Sequence, residues 1–291
     1  MNFDYDEFTC RNIGFVTLQE QQRLRAGSMI VAGTGGMGGA AIQSLGRVGV
    51  GRLLLADIDR FELSNLNRQV FASLDTLGQD KAEATAAALK RINPELRIEL
   101  LGRDWLDQLD ALLPDCQIVI NGMDDLIAGI HLYRKAHEHG ATIIDAYMSP
   151  LPSVTVVRPG AQRLEQRLDW GTQGRDYNAL TADDVARCQA LELEYVLVHS
   201  SSLRHIDLQS AIELMKGQRK RMSFAPMVIA TGNLMAFEAV KWMLDRKPQA
   251  DERGYFFNPW TMRVEKPLPA PLAWARRLLV RQFLRKMLDG A

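Results

Sequence analysis

Four short stretches of the chain carry residues that could do chemistry. The first is "VAGTGGMGG" (31–39), with Gly33, Gly35, Gly36 and Gly38. Its G-x-G-x-x-G spacing is the dinucleotide fingerprint, and Asp57 follows at about the ~20 residues the fingerprint expects. A loop of this kind cradles the phosphates of any nucleotide, because backbone N–H groups and a helix N-terminus attract any anion. The second stretch, "DIDRFELSNLNRQVF" (57–71), adds Asp59, Asn65, Asn67, Arg68 and Gln69. The third, "GQDKAEA", puts Lys81 at a helix start, and the fourth, "INGMDD" (120–125), puts Asp124 just past an apolar run. Hydride transfer from a nicotinamide cofactor needs one carboxylate for the ribose and has no use for the rest. A nucleoside triphosphate with magnesium needs a ribose carboxylate, an Arg, a Lys and a separate Asp. The cations neutralise phosphate oxygens and the separate Asp holds the metal.

These residues need elements to place them. "SMIVA" (28–32), "RLLLAD" (52–57), "RIELLG" (97–102), "CQIVING" (116–122), "ATIIDAYM" (141–148) and "SVTVVRP" (153–159) read as strands. Helical patterns lie between the first five, at 37–48 and in "KAEATAAALKRIN" (81–93), where Asp80 is a candidate cap and Pro94 a stop. Near-continuous apolar strands alternating with helices predict an α/β fold, a mostly parallel sheet covered by helices on both faces. Ligands then bind beyond the carboxyl ends of the strands, where Gly33, Asp57, Asp59 and Asp124 fall.

Residues 160–222 are more polar and less regular, and read as a long crossover excursion with the character of a lid. A helix at 225–244 returns to the core, and "RGYFFN" and "MRVEKP" form a terminal strand pair. This gives a main domain over 1–266. Residues 267–291 then form a linker stiffened by Pro267, Pro269 and Pro271 and a basic amphipathic helix, "LAWARRLLVRQFLRKML". That helix carries Arg276, Arg277, Arg281, Arg285 and Lys286, with Trp274, Leu278, Phe283 and Met287 at roughly helical spacing, so RNA is a thinkable partner.

Lys plus Arg and Asp plus Glu both number 35, so no overall charge draws the whole protein to nucleic acid or membrane. The N-terminus lacks a secretory pattern, and the most apolar long window, 227–244, holds Asn233, Glu238 and Lys241, so no membrane span is expected. Three cysteines without close spacing give no disulfide framework, which makes a reducing cytoplasm the expected compartment. Cys188 shares a helical face with Val185, Leu191 and Tyr195 and reads as a core thiol.

The quoted stretches, in this order and together with "RNIGFVTLQEQQRL" and "APMVIATGNLMAFEAVKWML", resemble the ThiF/MoeB/HesA family, bacterial relatives of the ubiquitin-activating enzymes. The resemblance implies a Rossmann-like fold that binds ATP and magnesium and adenylates a carboxylate with release of pyrophosphate. By position it implies that Asp59 binds the ribose, Arg68 and Lys81 contact the triphosphate, and Asp124 holds magnesium. Asp125 is equally acidic, and only the resemblance selects its neighbour. Arg11 falls where the family has an arginine that reaches into the partner subunit's active site, which implies a homodimer. Many relatives carry two Cys-x-x-Cys pairs for a structural zinc; this chain has none, so no structural zinc is expected.

The carboxylate this implies is the C-terminus of a small ubiquitin-like or sulfur-carrier protein. Two other readings stay open. The carboxylate could belong to a natural-product peptide or to a threonylcarbamoyl group on tRNA. The chain could also be a nucleotide-binding partner subunit without catalysis.

Overall fold

The computed structural model describes residues 2–247 and 249–289. Its eight strands are β1 (Ser28–Ala32), β2 (Arg52–Ala56), β3 (Arg97–Leu101), β4 (Ile118–Asn121), β5 (Thr142–Asp145), β6 (Ser153–Val157), β7 (Tyr255–Asn258) and β8 (Arg263–Glu265). They form one sheet in the order β3-β2-β1-β4-β5-β6-β7-β8. The first five run parallel, and β6, β7 and β8 are added antiparallel. The order reverses between β1 and β4, and a crevice opens at such a switch point.

The main helices are α1 (Tyr5–Thr9), α2 (Leu18–Ala26), α3 (Gly36–Val48), α4 (Lys81–Lys90), α5 (Leu109–Leu112) and α6 (Leu126–Glu138). They continue with α7 (Leu164–Arg167), α8 (Ala182–His199), α9 (Leu208–Met215), α10 (Ala225–Met243) and α11 (Ala270–Asp289). The inner strands β1, β2, β4, β5 and β6 are buried along nearly their whole length, while the edge strand β3, expected to be covered, is largely exposed because it has a neighbour on one side only. Leu53 and Leu55 join one core with α3 and α10, while Leu54 joins Ile30 and Val119 in a second core under α6. All three leucines are fully buried, each contributing on the order of 1.5–3 kcal/mol of transfer free energy. Helix α10 comes so close to α3 that a Cβ on Gly232 would lie 2.3 Å from the Met37 carbonyl oxygen.

The segment 160–222 is more ordered than its polarity suggests. It contains the 18-residue helix α8, whose inner face (Cys188, Tyr195, Val196) closes a third core with Tyr147, Trp170 and Phe256. The expected linker is shorter than the prolines implied, because α11 starts at Ala270 and takes Pro271 into its first turn, where a missing N–H costs nothing. Helix α11 lies on α8. Arg277 and Arg281 pair with Glu194, and Arg276 donates to the Ser200 carbonyl. Its amphipathic pattern is therefore turned differently from the sequence reading. Three of the five cations face the protein, while Leu272, Trp274, Leu278 and Leu279 stay half or more exposed. No helix among the described residues is long and apolar enough to cross a membrane.

Candidate active site

Three adjacent parallel strands end level with one another, since Ala32 pairs with Ala56 on one side and with Asn121 on the other. The next residues, Gly33, Asp57 and Gly122, thus form a row at the carboxyl edge. The Gly33 N–H bonds the Ala56 carbonyl and the Gly122 N–H bonds the Ala32 carbonyl, each at 2.7 Å. Glycine is required here by backbone approach. Gly33 has φ +85°, and a Cβ on it would lie 2.7 Å from the Gly122 carbonyl carbon. A Cβ on Gly38 would lie 1.8 Å from the Gly33 oxygen. The sequence reading missed Gly122, whose Cβ would come within 2.9 Å of Gly38 Cα. No local motif could have flagged a contact between residues so far apart in the chain.

Gly33 and Gly38 are occupied with packing, and Gly35 and Gly36 are only half-buried; a Cβ on Gly36 would lie 2.6 Å from Val228 Cγ1, so Gly35 is the roomier of the two. Gly35 caps α3 and Gly36 begins it, so the positive end of the helix dipole points into the crevice. A Cβ on Gly35 would meet nothing closer than the Gln69 amide at 3.4 Å. Gln69 is buried and its Oε1 has no hydrogen-bond partner. The Arg68 stem lies 3.9 Å from the Cβ position of Gly36. Arg68 Nη1 donates to the Ser64 carbonyl (2.7 Å) and to Asn67 Oδ1 (3.0 Å), and among the described residues no carboxylate pairs with it. An uncompensated guanidinium beside a helix N-terminus and an orphaned amide is a cradle for anionic oxygens.

The two carboxylates after β2 have separate tasks. Asp57 accepts from the Thr34 N–H (2.7 Å) and hydroxyl (3.0 Å), and from the Asp59 N–H. Its acceptors are taken up in holding the glycine loop. Asp59 is two-thirds exposed and free on its outer side. Its other partner is Lys81, whose Nζ reaches Asp59 Oδ2 at 2.8 Å. Lys81 is 8% exposed at the first position of α4, where the helix dipole disfavours a cation. Asp80 caps that helix through the N–H groups of Ala82 and Glu83. Asn65 is buried and turned into its own loop, accepting from the Glu62 N–H at 2.9 Å.

Past β4, the neighbouring acids also divide. Asp125 is the N-cap of α6, accepting from the Ala128 N–H at 3.0 Å, and Asp124 is left exposed at the crevice. Among the described residues no group of three His, Cys, Asp or Glu side chains could hold a metal alone. A single carboxylate beside a phosphate cradle still suits magnesium, which takes one or two protein oxygens and completes its shell from phosphates and water. Arg11 is not in this set. Its turn is fastened to the C-terminal end of α3 by Asn12, which donates to the Val48 carbonyl. That end lies roughly 18 Å along the helix from the glycine loop.

The return helix also reaches the crevice. Asn67 donates to the Ser223 carbonyl at 3.1 Å, and Val228 lies against Gly36. The segment leading into α10 is thus tied across the Arg68 loop. Farther along the edge, burial pushes the carboxyls of Asp145 and Glu192 up to about 6 and about 7. Cys188 is fully buried, and burial pushes its thiol up to about 11, opposite to what a nucleophile needs.

The chain is 39% identical over 130 residues to a molybdopterin-synthase adenylyltransferase of Haemophilus influenzae, covering 44% of this chain and 54% of that protein. It thus spans about half the length of that relative. Against protein HesA of Leptolyngbya boryana it is 25% identical over 262 residues, covering 87% and 86% of the two chains. Among solved structures, E. coli MccB with MccA-N7isoASN shares the fold, with a TM-score of 0.65 at 19% identity over 91% of this chain and 72% of that one. The pattern that defines the ThiF family matches residues 9–273, and the chain belongs to the ThiF family.

Proposed function

We propose that this protein is an adenylyltransferase that uses ATP and magnesium to activate a carboxylate, the C-terminus of a small ubiquitin-like or sulfur-carrier protein. The observation that carries the reading is the row of residues at the ends of β1, β2 and β4. It brings the α3 N-terminus with Gly35 and Gly36, the largely exposed Asp59, the cations of Arg68 and Lys81 and the exposed Asp124 to one edge of the sheet, which supports a site for ATP with magnesium. A relative named for adenylation of molybdopterin synthase supports the choice of a carrier protein.

In this reading Gly35, Gly36 and the α3 N-terminus receive phosphate oxygens, and Asp59 receives the ribose hydroxyls. Asp59 then no longer needs Lys81, whose ammonium turns to the triphosphate beside Arg68. Asp124 holds magnesium, which supplies charge neutralisation at the phosphates. The substrate carboxylate oxygen attacks the α-phosphorus, and the bond from that phosphorus to the β-phosphate's bridging oxygen breaks. Pyrophosphate leaves with the electron pair. Negative charge grows on the departing group, so the fixed cations of Arg68 and Lys81 stabilise the transition state more than the ground state.

The same reading makes the protein a homodimer in which Arg11 completes the partner's site. The turn bearing Arg11 is followed by exposed apolar Ile13, Phe15 and Leu18 (40%, 84% and 71%), a surface suited to a subunit contact. An RNA-bound carboxylate is less favoured, because α11 turns three of its cations toward its own protein. The test is ATP–pyrophosphate exchange with purified protein. Exchange should require magnesium and a carrier protein with a free C-terminus, and should vanish when that C-terminus is amidated. Exchange supported equally by unrelated carboxylates would contradict the carrier reading.

A further inference from the structure

The carboxyl ends of β4 and β5 are joined by a buried chain of side-chain hydrogen bonds that the adenylation chemistry does not itself use. Asp145 ends β5, and is 7% exposed. Its Oδ1 accepts from the Ala146 N–H at 2.6 Å. Its Oδ2 accepts from the Tyr133 hydroxyl at 2.8 Å and from Asn121 Nδ2 at 2.9 Å. Asn121 is the last residue of β4, and its Oδ1 in turn accepts from the Met123 N–H at 3.3 Å. Met123 lies between Gly122, which is pressed against Gly33 and Gly38, and Asp124. The side chain of Asp145 is therefore two hydrogen bonds from the backbone of the loop that carries Asp124.

The polarity of this chain is fixed by Asp145. A carboxylate offers only acceptors, so all three donors facing it are satisfied at once. By taking the Asn121 NH₂ it forces the Asn121 oxygen toward Met123. Were Asn121 flipped, its NH₂ would confront the Met123 N–H, donor against donor, and a buried donor left without an acceptor costs the loop its place. Met123 then loses the bond that sets its peptide plane, and with it the direction in which Asp124 leaves the strand.

We propose that Asp145 is a positioning residue: through Asn121 it fixes the Gly122–Asp124 loop so that Asp124 meets the metal of bound ATP. This rests on the adenylation reading. It differs from a packing role, because it predicts a loss that depends on metal. Asp145→Asn keeps the shape. Its single oxygen stays on the Ala146 N–H, the shortest of the three bonds, and its NH₂ turns to Asn121, which must flip. The exchange of roles in the double variant Asn121→Asp/Asp145→Asn restores the chain. Asp at 121 accepts from the Asn at 145 and from the Met123 N–H, and the Tyr133 oxygen accepts from the same Asn.

Two measurements test this. The first needs no nucleotide: hydrogen exchange of the Met123 amide should quicken in Asp145→Asn and slow again in the double variant. The second is calorimetric titration with ATP, with and without magnesium. Asp145→Asn should weaken the magnesium-dependent part of ATP affinity by about 10–100-fold, the range for removing a residue that orients a metal ligand. It should leave metal-free binding nearly unchanged, and the double variant should recover most of the loss. Unchanged Met123 exchange, or equal weakening with and without magnesium, would overturn the relay while leaving the adenylation reading standing. Wild-type protein that binds no ATP with any metal would overturn that reading, and this role with it, whatever the exchange of Met123 shows. A variant that fails to fold would be replaced by Asn121→Leu, which removes the Met123 acceptor directly and must show the same metal-dependent loss.

Discussion

Glu192 offers a stability test with a definite sign. It lies on the buried face of α8 at 5% exposure, and its Oε1 accepts from the Met148 N–H at 2.8 Å. Burial is the main cause that lifts its carboxyl from 4.5 to about 7; the Met148 bond opposes the lift and the Asp145 charge adds to it. Between those two values the folded protein holds a proton that the unfolded chain has released. Stability therefore falls as pH rises through that window and stops responding to this group above it. Each pH unit spent inside the window costs up to about 1.4 kcal/mol, so burying Glu192 costs roughly 1 kcal/mol at pH 5, where the folded protein must take up a proton, and roughly 3 kcal/mol at pH 8, relative to a side chain that never ionises. Glu192→Gln keeps an oxygen for Met148 and removes the charge. It should raise the urea-unfolding free energy by those amounts, followed by circular dichroism at pH 5 and pH 8. Asp145, lifted in the same direction, is present in both proteins and cancels apart from its repulsion of Glu192. An equal gain at the two pH values, or a loss at pH 8, would refute the reasoning.

Three further outcomes are expected. Arg68→Ala and Lys81→Ala should each lower the rate of adenylation by on the order of 10²–10³, the range for a lost oxyanion donor, while ATP affinity falls far less; equal losses in both would mean that the cations serve only the ground state. Cys188→Ser should retain adenylation and any downstream transfer, and native thiol titration of the wild type should find Cys10 alone reactive, since Cys116 and Cys188 are buried; a substrate thioester trapped on Cys188 would contradict this. Truncation after Glu265 should leave ATP affinity intact and raise the KM for the carrier substrate, more at low salt, where exposed Arg285 and Lys286 act over a longer range; an insoluble product would instead make the α11–α8 contact structural.

Much of this fold is legible because a strand buried on both faces has no polar residues to hide. "SMIVA" and "RLLLA" are fixed by that constraint alone, and Asp80 announces its helix by local capping chemistry. The site is legible only where spacing along the chain matters. The fingerprint finds Asp57, yet Asp57 holds Thr34 while Asp59, two residues on, keeps an open side. Spacing cannot distinguish two carboxylates whose directions are set by a turn. Gly122 and the Asp145–Asn121 pair were invisible because their partners come from other strands. In α8 the spacing of Val185, Cys188, Leu191 and Tyr195 shows a helical face, but periodicity cannot show that the polar Glu192 and His199 are buried beside it. For α11, periodicity found an apolar face but could not say that Glu194 would draw the cations inward.

The measurement closest to the central claim is a calorimetric comparison of ATP with magnesium against NAD on the wild-type protein. The arrangement of Arg68, Lys81 and Asp124 around the glycine cradle predicts binding of ATP, strengthened by magnesium and weakened by Asp124→Asn, with NAD binding far more weakly. Tight NAD binding with no detectable ATP binding would contradict the account, because the cradle would then serve a dinucleotide and the three charged residues would have no triphosphate to meet.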